Sequence, residues 1–169
     1  MSCTKHFPSP RSAYLHIPFC YRRCFYCDFA VVPLGDKANG EKGPGSSSIK
    51  GYLNLLHREI ALIPQGPPLS TIYIGGGTPS LLSPFQINSL LRHLQQKFGL
   101  QPGAEITMEM DPSSFNKKSL EGFISSGINR ISLGGQSFSN QTLKRLGRTH
   151  NKDELLKACG WLKEYRKNG

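Results

Sequence analysis

Three cysteines in one short stretch are the residues of this chain best suited to chemistry. Cys20, Cys24 and Cys27 stand at the spacing C-x3-C-x2-C within HIPFCYRRCFYCDF. A [4Fe–4S] cube normally takes four protein ligands, one for each iron. Three ligands from a single loop would leave one iron free to bind another molecule. The spacing therefore favours an iron–sulfur cluster with an open coordination position.

Two other interpretations of the cysteines stay open at this point. Structural zinc takes four ligands, mostly nitrogen or sulfur, so His16 and Asp28 would have to complete a zinc site. A disulfide framework favours an even number of cysteines in a secreted chain. This chain has five cysteines and no apolar secretory segment. Cys3 and Cys159 lie far from the motif in sequence and fit no ligand spacing.

Composition limits the class of protein. The 169 residues are enough for one domain with a real core, and no apolar run approaches the roughly 18 residues of a membrane helix. The net charge of +10 indicates either a solvated basic surface or an anionic partner. No nucleic-acid-binding signature is present, so nucleic acid is not expected. A cytoplasmic location is the default expectation, with mitochondria or plastids if an N-terminal segment is missing.

Alternating β-like and helical runs must position the cysteines. Residues 1–12 form an N-terminal tail, and residues 13–169 form one core with a flexible insert at 35–48. Strands are predicted at 13–17, 71–74, 105–110 and 129–133, and helices at 51–63, 84–98, 116–126, 139–146 and 151–167. Such alternation is typical of an α/β fold with a parallel sheet. The cysteine loop, GGGTP, MDPSS and GGQSF all fall at carboxyl ends of strands, where chemistry gathers in such folds.

Apolar periodicity predicts the buried face of each helix. The predicted faces are Tyr52, Leu55, Leu56, Ile60 and Ile63 in the first helix, and Ile87, Leu90, Leu91, Leu94 and Phe98 in the second. Ser83 is expected to cap the second helix and Gly99 to end it. Asn151 and Glu154 resemble a capping box for the last helix.

Two motifs would bring polar groups to the cysteines. The glycines of GGGTP expose unhindered backbone to a small polar ligand, although a tight turn also uses glycine. In EITMEMD, alternation places Glu105, Thr107, Glu109 and Asp111 on the face opposite Ile106, Met108 and Met110. A parallel sheet is covered on both faces, so this polar row is expected to line a cavity. The same argument applies to Arg130, Ser132 and Gln136 around the next strand.

The cysteine loop, with an aromatic residue before its last thiol, resembles the signature of radical S-adenosylmethionine enzymes. The resemblance implies an incomplete (β/α) barrel with about four β/α units present. It also implies a [4Fe–4S] cluster on three cysteines, with S-adenosylmethionine on the open iron. One-electron reduction of the sulfonium would then give a 5′-deoxyadenosyl radical.

AYLHIPFC, IYIGGGTPSLL, EITMEMDP, NRISLGGQSF and LKRLGRTH are together similar to the oxygen-independent coproporphyrinogen III oxidase family. The oxidase branch has a further cysteine where this chain has Phe29. In this feature the chain resembles the haem-chaperone branch. This implies haem binding and transfer, with haem or porphyrin, a haem-acceptor protein and an unidentified electron donor as partners. The alternatives are an oxidative decarboxylase of coproporphyrinogen III and an inactive fragment.

The same resemblance implies the site residues. Cys20, Cys24 and Cys27 would bind the cluster. The residues implied to bind S-adenosylmethionine are Tyr14, Tyr26, Gly76, Gly77, Thr78, Glu109, Gln136 and Arg148. No catalytic residue is assigned.

The chain departs from the family in two ways. Gly135 stands where valine is usual, and we expect it to loosen the strand by about 1 kcal/mol. Family members are also considerably longer, with two more barrel strands and a C-terminal domain that carries the haem-ligand motif. We therefore expect a fragment whose fourth strand is an open edge, and which folds poorly or binds its cofactor weakly.

Overall fold

The computed structural model describes residues 9–168. Cys3, most of the predicted N-terminal tail and Gly169 lie outside the described residues. The strands are Ser12–Ile17 (β1), Phe19–Cys20 (β2), Val32–Pro33 (β3), Leu69–Gly76 (β4), Leu100–Met110 (β5) and Arg130–Leu133 (β6). The helices are Ser46–Leu62 (α1), Pro84–Phe98 (α2), Lys117–Ser125 (α3), Asn140–Arg145 (α4) and Lys152–Asn168 (α5). No helix among the described residues is long and apolar enough to span a membrane.

Four of these strands form one parallel sheet, as predicted. Their order is β1-β4-β5-β6, and Ile74 pairs with Leu15 on one side and with Met108 on the other. All three side chains are buried because the helices cover the sheet. Within the described residues β6 is an outer strand, in agreement with the expected open edge.

Strands β2 and β3 form a second, two-stranded parallel sheet that was not predicted. Phe19 pairs with Val32 and Cys20 with Pro33. Strands of two residues are too short to show alternation, so no periodic pattern marks them. The small sheet closes the loop between its two strands, and this loop carries the cysteines.

Helix α2 confirms its predicted boundaries and caps. The Ser83 hydroxyl accepts from the Gln86 amide, and the Gln86 side chain accepts from the Ser83 amide. The helix ends at Gly99, whose φ of 77° suits glycine. Its predicted face is buried, with Phe98 partly so. The capping box of Asn151 and Glu154 also forms.

Helix α1 differs from its predicted start and face. It begins at Ser46, so the last residues of the predicted flexible insert form its first turn. The buried side chains are Ile49, Leu53 and Ile60. Leu55 is 61% exposed, and Ile63 lies beyond the helix end. The earlier start adds Ile49 to the buried stripe. Leu55 lies two positions after Leu53, on the opposite side of the helix, and therefore faces solvent.

The rest of the predicted insert packs against the core. Ala38 is 6% exposed, and the carbonyl of Gly40 accepts a hydrogen bond from the Gln86 side chain at 2.7 Å. The insert therefore rests on the first turn of α2.

The expectation for Gly135 is wrong. Strand β6 ends at Leu133, so Gly135 lies in the following loop and cannot loosen the strand. A Cβ at Gly135 would lie 2.9 Å from Cδ1 of Leu155. In this chain the leucine of α5 fills the space that a larger residue would need.

Candidate functional site

A cavity of about 530 Å³ lies at the carboxyl ends of β4, β5 and β6. The sequence-predicted residues that line it are Cys20, Tyr26, Gly76, Gly77, Thr78, Glu109, Gln136 and Arg148, together with Cys24 and Cys27. These residues come from five separate segments of the chain. The sheet register brings them together because parallel strands end at one edge.

The three cysteines present their sulfur atoms to this cavity from a loop of fixed shape. Cys20 is buried at the end of β2, whereas Cys24 and Cys27 are partly exposed. The amide of Cys27 donates to the carbonyl of Cys24 at 3.1 Å, and Nε of Arg23 donates to the Cys27 carbonyl at 2.9 Å. These contacts turn the loop so that its thiols face the strand ends.

Two of the three sulfurs already accept hydrogen bonds from residues of the cavity. Oγ1 of Thr78 donates to Sγ of Cys20 at 3.4 Å, and Nη1 of Arg148 donates to Sγ of Cys24 at 3.5 Å. Burial raises the pKa of the Cys20 thiol, and the Thr78 hydrogen bond partly offsets that effect. Donors aimed at cysteine sulfur are the outer-shell contacts that iron–sulfur clusters use. The donor set therefore fits a cluster.

His16, the histidine considered as a zinc ligand, has both ring nitrogens in hydrogen bonds to other groups. Its Nδ1 is bonded to the Tyr14 hydroxyl at 3.0 Å and its Nε2 to the carbonyl of Ala30 at 3.1 Å. Among residues 9–168, no three His, Cys, Asp or Glu side chains converge where a single ion could sit. In a cube each cysteine binds a different iron, so its thiolates need not meet at one point.

The three glycines of GGGTP allow close packing against their neighbours, and they also leave the backbone open to a ligand. A Cβ on Gly77 would lie 2.8 Å from Sγ of Cys20 and 2.7 Å from the carbonyl oxygen of Phe19. A Cβ on Gly75 would lie 2.7 Å from the Tyr73 ring, and Gly76 has a φ of 117°. The missing side chains let β4 pass directly under the cysteine loop, so the tight-turn interpretation also holds.

Glu109 lies at the floor of the cavity with both oxygens bonded. Oε1 accepts from the Tyr73 hydroxyl at 2.7 Å, and Oε2 accepts from the Gly76 amide at 3.0 Å. The hydrogen bond that Tyr73 donates to Glu109 is the largest cause of the raised pKa of Tyr73. Glu109 therefore anchors the glycine turn. Tyr73 carried no signal in the sequence apart from its place in a strand.

Tyr14 is the one predicted site residue that does not line the cavity. Its side chain is 60% exposed, and its ring stacks on Tyr73 with centroids 6.0 Å apart. Tyr14 thus reaches the site only through Tyr73, which in turn holds Glu109.

Arg148 is bonded to both the strand ends and the cysteine loop. Nη2 donates to Oδ2 of Asp111 at 2.5 Å and to the Gly134 carbonyl at 2.8 Å. Nη1 donates to Cys24 and to the Tyr26 hydroxyl, the latter at 3.3 Å. Burial opposes the charge of Arg148, but Asp111 and contacts with Tyr26 and Cys24 leave its pKa raised. The sequence analysis placed Asp111 in a polar row without identifying this pair.

The polar row of β5 lines the cavity only in part. Glu109 and Asp111 do so, with Ser132 of β6. Glu105 instead accepts from Nη1 of Arg130 at 3.1 Å on the surface. The expectation fails for Glu105, Thr107 and Arg130, which lie before the carboxyl ends of their strands.

Gln136 holds an unusual backbone conformation in the cavity wall. Its φ is 60°, the one positive value at a non-glycine residue in the described part of the chain. Such a conformation is costly for a residue with a side chain and is typical of functional sites. The turn that imposes it includes a hydrogen bond from the Ser137 amide to the Gly135 carbonyl, at 2.7 Å.

Comparisons with known proteins show the family to which the chain belongs. A profile of the Radical SAM superfamily matches residues 14–169. The chain is 41% identical to heme chaperone HemW of Synechocystis over 150 residues, 88% of this chain and 35% of that protein. It is 42% identical to heme chaperone HemW of Escherichia coli, covering 89% of this chain and 38% of that protein.

A solved structure extends the comparison to the fold. Coproporphyrinogen III oxidase from Escherichia coli, described as a radical SAM enzyme, superposes with a TM-score of 0.78 at 26% identity. The superposition covers 94% of this chain and 35% of that protein. The chain thus spans between a third and two fifths of the length of these relatives.

Proposed function

Because the chain belongs to the radical SAM superfamily, we propose that it is the cluster- and S-adenosylmethionine-binding part of a haem-chaperone-like protein. The observation that carries the proposal is the meeting of three cysteines with Gly76, Gly77, Glu109 and Arg148 around one cavity. Cys20, Cys24 and Cys27 would hold a [4Fe–4S] cluster. When bound, the cluster would supply single electrons to the sulfonium of S-adenosylmethionine.

The residues around the cysteines would hold the nucleotide in distinct ways. Gly76 and Gly77 would let its methionine end approach the backbone. Glu109 and Gln136 would meet its polar groups, and Arg148 would supply positive charge near its carboxylate. Tyr26 would pack on it from the cysteine loop, while Tyr14 would act from outside the cavity through Tyr73.

Haem or a related porphyrin is the cargo that we propose. The chain is similar to proteins described as heme chaperones, and its net charge of +10 suits a ligand that carries propionates. A haem-acceptor protein and an electron donor would be the further partners.

Anaerobic reconstitution with iron and sulfide tests the proposal. The wild-type chain should acquire a broad absorbance near ~400 nm, as iron–sulfur chromophores do. Cys24→Ala should abolish it, whereas Cys159→Ala, which removes a cysteine outside the cavity, should not. Stoichiometric zinc with no cluster would refute the proposal.

The likeness in fold to a coproporphyrinogen III oxidase favours a second candidate, oxidative decarboxylation of a porphyrinogen. Phe29, 62% exposed at the cavity, stands where the oxidase branch would place a cysteine. An anaerobic assay for protoporphyrinogen formation separates the candidates. The haem-chaperone proposal expects no product, whereas formation of protoporphyrinogen would favour the oxidase.

A further inference from the structure

We propose that Asp111 is a positioning residue of the cysteine loop and acts through the guanidinium of Arg148. The contacts that support this role belong to the chain alone. Only its consequence for a bound cluster rests on the proposed function.

Asp111 lies immediately after β5, and hydrogen bonds within its own loop hold its carboxylate. Oδ1 accepts from the amide and the hydroxyl of Ser113, at 2.9 and 2.7 Å. Oδ2 remains for Arg148, whose Nη2 donates to it at 2.5 Å. One carboxylate oxygen therefore fixes the orientation of the group, and the other holds the guanidinium.

Arg148 carries the link onward to the cysteines. With Nη2 bonded to Asp111 and to the carbonyl of Gly134, Nη1 faces Sγ of Cys24 and the hydroxyl of Tyr26. The side chains of Arg148 and Asp111 are 10% and 11% exposed. Removing the carboxylate would leave a buried cation without its counter-charge, which is costly. The guanidinium would then move towards water and release the loop.

Neighbouring residues of the segment 146–150 reinforce the same connection. The carbonyl of Leu146 accepts from the Phe25 amide at 3.1 Å. Oγ1 of Thr149 lies 2.8 Å from the Ser113 hydroxyl that also bonds Asp111. The segment therefore bridges the cysteine loop and the strand ends, and Asp111 contacts it at the centre.

His150 adds a second sign that this bridge is built around Asp111. Its side chain is fully buried, and its Nε2 donates to the carbonyl of Gly135 at 3.1 Å. Nδ1 lies 3.9 Å from Oδ1 of Asp111 and has no hydrogen-bond partner among the described residues. Nε of Arg148 is likewise buried without a partner in the described part of the chain. Buried polar atoms without a partner are rare in native structures, and both of these lie beside the carboxylate of Asp111.

Strands β5 and β6 offer a matched control. Glu105 and Arg130 form a second arginine–carboxylate pair at 3.1 Å, with side chains 47% and 62% exposed. Neither residue lines the cavity. Glu105→Gln therefore removes the same kind of pair without touching the cysteine loop.

Hydrogen exchange in the metal-free 169-residue chain tests the proposal. Asp111→Ala should speed exchange of the Phe25 amide by about tenfold or more, as expected for loss of one charged hydrogen bond. Asp111→Asn keeps an acceptor and should have a smaller effect, whereas Glu105→Gln should have none. Arg148→Gln should match Asp111→Ala, and the double variant should exchange no faster than either single variant.

Additive effects in that double variant would overturn the proposal, as would wild-type protection of the loop in a folded Asp111→Ala chain. If Asp111→Ala does not fold, the cycle of Asp111→Asn with Arg148→Gln gives the same test. A chain that shows the coupling but never loads iron would refute the proposed function alone. On the loaded chain, Asp111→Ala should release iron to a chelator faster than Glu105→Gln does.

Discussion

Nη1 of Arg148 lies 3.5 Å from Sγ of Cys24, although 124 positions separate the two residues in the chain. The contact places a buried positive charge and an N–H donor beside one of the proposed cluster ligands. Hydrogen bonds to cysteine sulfur and local charge both set the potential of an iron–sulfur cluster. Each favours the reduced, more negative state.

Arg148→Gln should therefore lower the midpoint potential of the reconstituted cluster. The measurement is a redox titration followed by electron paramagnetic resonance, with Arg130→Gln as the surface control. An unchanged potential in fully loaded Arg148→Gln protein would show that the contact does not act on the cluster.

Gly77→Ala should disturb the site by a steric route. The new Cβ would lie 2.7 Å from the carbonyl oxygen of Phe19 and 2.9 Å from that of Pro18. These are backbone atoms at β2, which the small sheet holds in place. We expect a loss of about 1–3 kcal/mol in the free energy of unfolding and a lower iron content.

Gly51→Ala is the control for that substitution. Apart from its chain neighbours and the backbone of its own helix, no atom of the described residues lies within 4 Å of the added Cβ, and the residue is inside α1. Alanine there should stabilise the chain by about 1 kcal/mol. Thermal unfolding and iron analysis of both variants make the comparison. Wild-type stability and iron content in Gly77→Ala would contradict the packing role of the glycine.

Gly135→Val should destabilise the chain by a steric clash with α5. Its Cβ would meet Leu155, which is 3% exposed, at 2.9 Å. The expected cost is about 1–3 kcal/mol, and Leu155→Ala alone should cost about 2–5 kcal/mol. In the double variant the valine can occupy the space that Leu155 leaves. The loss in the free energy of unfolding should therefore be less than the sum of the two single losses. Strict additivity in denaturant unfolding would contradict this.

The contact between α1 and α2 should weaken in acid because of a histidine pair. Nδ1 of His57 lies 2.8 Å from Nδ1 of His93, and Nε2 of His57 lies 3.3 Å from the Ser89 hydroxyl. One proton can occupy the gap between the rings, but two protonated rings would repel. Burial and His93 both lower the pKa of His57 from 6.5.

The lowered pKa of His57 determines whether stability rises or falls with pH. The unfolded chain binds a proton at His57 more readily than the folded chain, so stability rises with pH in this range. The contribution of neutral His57 to the free energy of unfolding is complete above pH ~6.5 and is lost as the pH falls below that value. Unfolding of the wild type and His93→Gln from pH 5 to 8 should show a flatter profile in the variant. Equal slopes would exclude the pair as the cause.

The sequence predicted the parts of the fold that depend on local pattern. Ile106, Met108 and Met110 alternate strictly, so their burial followed from period 2 alone. The spacing of Cys20, Cys24 and Cys27 placed them in one loop, and parallel topology placed that loop with GGGTP. These features need no knowledge of distant contacts.

The missing parts depend on tertiary contacts that no local pattern encodes. The pair of Asp111 and Arg148 spans 37 positions, and the sequence gives no reason to join them. Tyr14 lies on β1, but its ring stacks on Tyr73 outside the cavity. The start of α1 was placed wrongly because the N-cap residue Gly45 makes no side-chain cap that the sequence could show.

The central claim is that three cysteines leave one iron open and that S-adenosylmethionine occupies it. The most direct measurement is the electron paramagnetic resonance spectrum of the reconstituted, reduced chain, recorded without and with S-adenosylmethionine. We predict a [4Fe–4S] signal whose g values shift on addition of the nucleotide, and no such signal in Cys24→Ala. A cluster signal that the nucleotide leaves unchanged would contradict the account.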